Sequence, residues 1–189
     1  MKYFYPFLVN SKTDDPAIII KIANEKTCLM LDCGDISNLM LRELREITHL
    51  FISHTHIDHF VGFDNIIRAN IGFPKTIFVY GPFGIIEQVF AKLKAYTWNL
   101  IGENDLNIEI YEIENEEISH ASILCKEKFK NINMLDIKCI SENLIYDSEN
   151  FCVKYAILEH KIPSLGYSFI KKDDVSINKE RLESLGCTQ

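Results

Sequence analysis

Four side chains able to hold a metal ion, His54, His56, Asp58 and His59, stand within six consecutive positions of this 189-residue chain. They follow the apolar run Ile47-Thr48-His49-Leu50-Phe51-Ile52, which reads as a buried strand. If extended backbone persists past Ser53, His54 and His56 share a face, because side chains two apart on a strand do. Asp58 and His59 come where the chain must turn, so they diverge from that pair and reach a second, neighbouring position. Imidazole with carboxylate favours zinc and also suits iron or manganese, whereas calcium and magnesium prefer oxygen ligands. The chemistry of such a centre is hydrolytic. A bound cation lowers the pKa of water from about 16 toward about 7, and two cations ~3.5–4 Å apart stabilise the attacking and leaving oxygens of a phosphodiester. The plainer reading, surface histidines at a strand end, is disfavoured by the density of the cluster.

The elements that must position this cluster follow an α/β pattern. Strands are predicted at 3–9, 17–22, 27–32, 49–53, 76–80, 107–113, 137–140 and 151–158, and helices at 37–46, 61–71, 85–100 and 178–185. Phe63, Ile66, Ile67 and Ile71 recur at helical spacing, which places a helix against the sheet beside the metal loop. The acidic stretch 112–117 reads as a solvated connection.

Asp32 ends the apolar run Thr27-Cys28-Leu29-Met30-Leu31, where an unpaired carboxylate is costly. It either orients a ligand histidine or serves as a turn aspartate before Gly34. Gly81-Pro82 punctuates a strand-to-helix turn and receives no chemistry. His160 ends the run Val153-Lys154-Tyr155-Ala156-Ile157-Leu158 just before a Pro-Ser-x-Gly turn, and is either a polar strand tip or a ligand. His49, inside the strand leading to the motif, reads as structural, and His120 lies in a polar stretch with no ligand pattern. Tyr96 and Trp98 either stack a base or, the favoured reading, fill the core. Lys126, Lys128 and Lys130 form a basic stretch and Lys161 adjoins His160; solvated lysines are the favoured reading. Cys33 lies close enough to the metal loop to be a stray ligand.

His54-Thr55-His56-Ile57-Asp58-His59 resembles the HxHxDH signature of the metallo-β-lactamase superfamily, and the flanking segments resemble its ribonuclease Z branch, the tRNA 3′-processing endonucleases. Leu31-Asp32-Cys33-Gly34-Asp35 is similar to the family's strand-end Asp-x-Gly, and Gly81-Pro82-Phe83-Gly84 to its Gly-Pro-x-Gly turn. The segment from Leu158 to Tyr167 is similar to the one that carries the third metal-binding histidine, so the match covers nearly the whole chain. The resemblance implies that His54, His56 and His160 hold one metal and that Asp58 and His59 help hold a second. It further implies that Asp58 accepts the proton of the nucleophilic water and that Asp32 supports the loop from behind. The implied fold is the N-terminal portion of an αβ/βα sandwich, a mixed sheet flanked by helices, in one domain over 1–189. The family's bridging aspartate and last histidine have no counterpart here. After His160 stand only Asp173 and Asp174 and no histidine, and 177–186 is similar to the helix that precedes the family's second half. The expectation is therefore an N-terminal half, incomplete at its C-terminus, with an uncovered inner sheet face that drives homodimerisation.

Composition sets the remaining bounds. A hydrophobic content of 47% suffices for one core, and no apolar stretch approaches the roughly 20 residues of a membrane span. The first residues make a poor signal peptide, and the six cysteines show no CxxC pair, so a cytoplasmic protein with reduced thiols is expected. The net charge of −7 makes the chain an unpromising general RNA binder. Three functions follow: a zinc-dependent phosphodiesterase acting on precursor tRNA, a hydrolase of the same fold acting on a lactone, thioester or other phosphodiester, and an inactive metal-binding fragment.

Overall fold

A computed structural model describes residues 3–102 and 106–172. β1 (Phe4–Leu8), β2 (Ile18–Ile22), β3 (Cys28–Leu31), β4 (His49–Phe51), β5 (Lys75–Pro82), β6 (Leu106–Glu114), β7 (Glu117–Leu124) and β8 (Asn133–Cys139) form one sheet in that spatial order. The central strands β3 to β6 are parallel, and the margins β1-β2-β3 and β6-β7-β8 are antiparallel. All four parallel strands therefore end on the same side. A smaller sheet, ordered β11 (Pro163–Lys171), β10 (Phe151–Glu159), β9 (Leu144–Asp147), lies over one face of the large one. Four α-helices, α1 (Leu41–Glu46), α2 (Ile57–Phe60), α3 (Phe63–Asn70) and α4 (Ile85–Lys94), and a 3-10 turn at Cys125–Glu127 supply the rest of the regular structure among the described residues, and the buried side chains of α1, α3 and α4 pack on the other face.

Burial on both faces explains why β3 is apolar throughout and β4 is apolar after His49: Leu29, Met30, Leu50 and Phe51 are fully enclosed. On β6 the alternation is legible, Ile108 and Ile110 facing the helices and Tyr111 and Ile113 the small sheet. Phe63, Ile66 and Ile67 of α3 join the helix-side core, as their spacing predicts, and Ile71 packs at its margin.

The inner sheet face is not bare. Leu29, Phe51, Tyr80 and Ile113 pack against Phe151, Val153, Tyr155 and Leu165 of the small sheet. The difference arises because β9 and β11 carry weak strand patterns: β11 is interrupted by Ser164, Gly166 and Ser168, and its first residues read as a turn. The 112–117 stretch likewise is no loose connection but the tip of the β6–β7 hairpin, closed by Asn115 at φ 52°. α4 stops at Lys94 rather than at 100, where Trp98 folds back and donates its indole N–H to the Leu93 carbonyl at 2.6 Å. The helix expected at 178–185 lies outside the described residues.

Register puts Phe51, Tyr80, Tyr111 and His120 in one row across β4 to β7. Their rings stack nearly parallel, with centroids 4.9, 4.6 and 4.3 Å apart. His120 ends the row between Glu109 at 2.6 Å and Asp136 at 3.2 Å, which leaves it no free nitrogen for a metal.

Candidate metal centre

The loops that follow β3, β4, β5 and β6 gather at the shared C-terminal end of the parallel strands, where α/β sheets place their ligands. The loop after β4 carries the motif. The strand ladder ends at Phe51, earlier than the expected 53, and other contacts take over from there. Ile52 N–H donates to the Tyr80 carbonyl at 2.8 Å, and the Ser53 carbonyl accepts Leu165 N–H at 2.8 Å. Tyr167, enclosed against Phe51, donates its hydroxyl to the Ile52 carbonyl at 2.8 Å. β11 thus braces the strand end that feeds the metal loop.

The β10–β11 hairpin turns through His160, Lys161 and Ile162, with Lys161 at φ 62°. This turn brings His160 over the motif, and the Pro-Ser-x-Gly segment continues as strand. His54, His56 and His160 have ligand nitrogens all within 4.8 Å of one another. His54 Nε2 and His56 Nδ1 are 3.1 Å apart. Two nitrogens bonded tetrahedrally to one zinc at ~2.0–2.1 Å lie about 3.3 Å apart, so the His54–His56 pair is already spaced for zinc and His160 completes a donor set of the right chemistry. His54 is buried while His56 and His160 are exposed, which leaves one side of the triad open.

Behind the triad, hydrogen bonds settle which nitrogen of His54 faces it. Asp32 sits at φ 48° with its amide on the Phe51 carbonyl. Its carboxylate accepts Ser53 N–H at 2.7 Å, Ser53 Oγ–H at 2.8 Å and His59 Nδ1–H at 2.8 Å. The only hydroxyl proton of Ser53 goes to Asp32, so Ser53 Oγ accepts from His54 Nδ1, 3.0 Å away, and His54 turns its bare Nε2 toward His56. By the same logic His59 presents Nε2, which lies 3.5 Å from Asp58 Oδ2. Asp58 is half exposed and His59 is not, so this second pair offers a shallower site beside the first. Burial, followed by the neighbouring imidazoles His59 and His56, lowers the pKa of His54, which keeps it neutral as a ligand must be. A carboxylate braced by a serine at the neighbouring strand end was only half legible in the sequence: Asp32 was singled out, Ser53 was not.

Close packing makes this possible. A Cβ on Gly34 would lie 2.0 Å from the Asp58 carbonyl, and one on Gly62 2.6 Å from the Gly34 carbonyl. Cys33 between them is no ligand. It is fully buried in the helix-side core, and burial pushes its thiol far up, so it stays protonated. His49 points to the opposite face, stacked on Phe78 at 4.7 Å.

The other features considered lie elsewhere. The lysines at 126, 128 and 130 follow β7, which runs antiparallel to β6, and so sit at the end of the sheet away from the metal loops. Trp98 packs at the margin of the core while Tyr96 is half exposed, both beyond the far end of α4. Glu112 accepts the amides of Gly84 at 3.0 Å and Ile86 at 3.1 Å, capping α4 and fixing the turn after Gly81-Pro82.

No family model matches the chain. Among curated proteins it is 27% identical to human zinc phosphodiesterase ELAC protein 1 over 197 aligned positions, covering 90% of this chain and 52% of that protein. It is 26% identical to ribonuclease Z of Deinococcus radiodurans over 186 positions, covering 96% and 56%. Among solved structures, human short-form tRNase Z superposes with TM-score 0.56 at 18% identity, covering 89% of this chain and 63% of that one. The metallo-β-lactamase fold protein YhfI of Bacillus subtilis gives 0.56 at 14% identity, covering 89% and 58%. The two-sheet architecture with its strand-end histidine loop is thus a metallo-β-lactamase fold. In sequence the chain resembles ribonuclease Z proteins and spans about half the length of the curated relatives it matches.

Proposed function

We propose that the chain is a zinc-dependent phosphodiester hydrolase of ribonuclease Z type, cleaving precursor tRNA at its 3′ side. The observation that carries the reading is the convergence of His54, His56 and His160 from two separate elements onto one open-sided point, with the His54 tautomer set by Ser53 behind it. Human zinc phosphodiesterase ELAC protein 1 and the bacterial ribonuclease Z support the substrate class.

In this reading His54, His56 and His160 hold one zinc, and Asp58 with His59 helps hold a second; iron or manganese suits the same nitrogens. A zinc ion held there supplies a Lewis acid and a water acidic enough to attack at neutral pH. Asp58, half exposed at the mouth, accepts the proton from the attacking water. His59 stays oriented because its other nitrogen is committed to Asp32. Asp32 and Ser53 act only through the histidines they hold.

Residues 1–189 are read as one domain, working in a reducing, cytoplasmic compartment. The free thiols Cys28, Cys33, Cys125, Cys139 and Cys152 support that location, and no helix among the described residues is long and apolar enough to cross a membrane. Homodimerisation is read from edge strand β8, which exposes Met134, Leu135 and Ile137.

Zinc-loaded protein assayed on an aryl phosphodiester, precursor tRNA and a lactone tests the function. Cleavage of the first two supports it. Turnover of the lactone alone selects the other hydrolase reading, and no turnover of any substrate selects the inactive metal-binding fragment.

A further inference from the structure

Two features that the metal centre leaves unused, the lysine-rich stretch after β7 and the aromatic pair after α4, converge on one surface. Trp98 packs edge-on against Phe129 with ring centroids 4.9 Å apart, which sets Lys128 and Lys130 beside it. With Lys94 and Tyr96 they line a groove of about 330 Å³. An adjoining groove of about 370 Å³ shares Tyr96 and Trp98 and adds Arg68. The side chains of Arg68, Lys94, Lys128 and Lys130 are exposed, and none has a carboxylate partner among the described residues. On a chain of net charge −7 this local excess of cations stands apart from its surroundings.

The aromatic groups are held so that only their rings are available. Tyr96 is 50% exposed, and its hydroxyl is tied to Asp64 at 3.0 Å. Lys92 pairs with the same carboxylate at 3.3 Å, so the acid in this groove is already neutralised. The Trp98 indole N–H is spent on the Leu93 carbonyl. Fixed rings among unpaired lysines stack bases of any sequence while the cations follow the backbone. A duplex keeps its bases stacked inside and offers these rings nothing.

We propose that this surface binds single-stranded RNA, with Tyr96 and Trp98 against bases and Lys94, Lys128, Lys130 and Arg68 on phosphates. None of its residues belongs to the metal motif; Asp64, which holds both Tyr96 and Lys92, follows His59 by five positions. The surface is therefore a second contact for a nucleic acid and stands whether or not the metal centre cleaves.

Trp98 is the only tryptophan of the chain, so its fluorescence reports on this groove alone. The test titrates the full chain at low salt with a short single-stranded oligouridylate, following Trp98 emission, and with a fluorescein-labelled copy, following anisotropy. Saturable quenching at the concentrations that raise anisotropy is expected. Combined Lys128→Glu and Lys130→Glu should weaken binding at least about tenfold and flatten the slope of log affinity against log salt by about 1.4, two phosphates at about 0.7 each. Tyr96→Ala should weaken it about tenfold. Lys12→Glu with Lys26→Glu, the same charge change at other exposed positions, should leave it unchanged. Anisotropy without Trp98 quenching, equal loss in both double variants, or no binding at low salt would each overturn the proposal.

Discussion

His49 begins β4 and Ser53 lies just past its end, and the two make opposite demands. His49 is enclosed among Phe51, Phe78, Tyr80 and Tyr146, and burial pushes its pKa down to about 4 from 6.5. Between those values the unfolded chain binds a proton that the native one refuses, so stability falls as pH drops through that window and levels off below about 4. Urea denaturation across pH 4–7 should show the difference between wild type and His49→Phe changing by about 3 kcal/mol, from about 2.5 units at 1.36 kcal/mol each. A constant difference would remove His49 from the account. Ser53, by contrast, acts on the site. Ser53→Ala should lower zinc affinity about tenfold in a chelator competition, while Ser53→Thr, which keeps the hydroxyl, should retain it. The motif was legible at this scale because HxHxDH is local. His160 was not, since a lone histidine at a strand end has no spacing to read, and only the resemblance singled it out.

At the scale of elements, the centre depends on how strand ends are fixed to one another. Glu112 on β6 caps α4 across the turn after β5, so Glu112→Ala should cost about 1–2 kcal/mol in urea denaturation. Glu112→Gln, which keeps an acceptor, should cost less, and equal losses would argue against a cap. The sequence hid this role because a glutamate in an acidic run looks like solvated surface, and only the register of β6 turns alternate residues inward. The same weakness obscured β7, β9 and β11, whose apolar positions are diluted by Ser, Gly and charged residues on half-exposed faces. β3 and β4 were easy to find because burial on both faces demands continuous apolar sequence. Hence the large sheet's middle was read correctly and the small sheet that covers it was mostly missed.

Across the whole molecule, that missing sheet changes where association is expected. The inner face is occupied, and β8, at one edge of the large sheet, exposes Met134, Leu135 and Ile137. Sedimentation velocity should find a dimer that Ile137→Lys, at a position 64% exposed, shifts toward monomer. A dimer unaffected by that change would place the interface elsewhere. The division of the surface also follows from topology: metal loops and acidic hairpin tip at one end of the parallel strands, lysines with Tyr96 and Trp98 at the other. None of this was readable from charge totals, which average the two ends. The central claim is the three-histidine metal centre, and metal content of the purified chain beside His160→Ala tests it most directly. At least one zinc per chain is expected in the wild type, and its loss in the variant. A wild type that takes up no metal, or a variant that keeps all of it, would contradict the account.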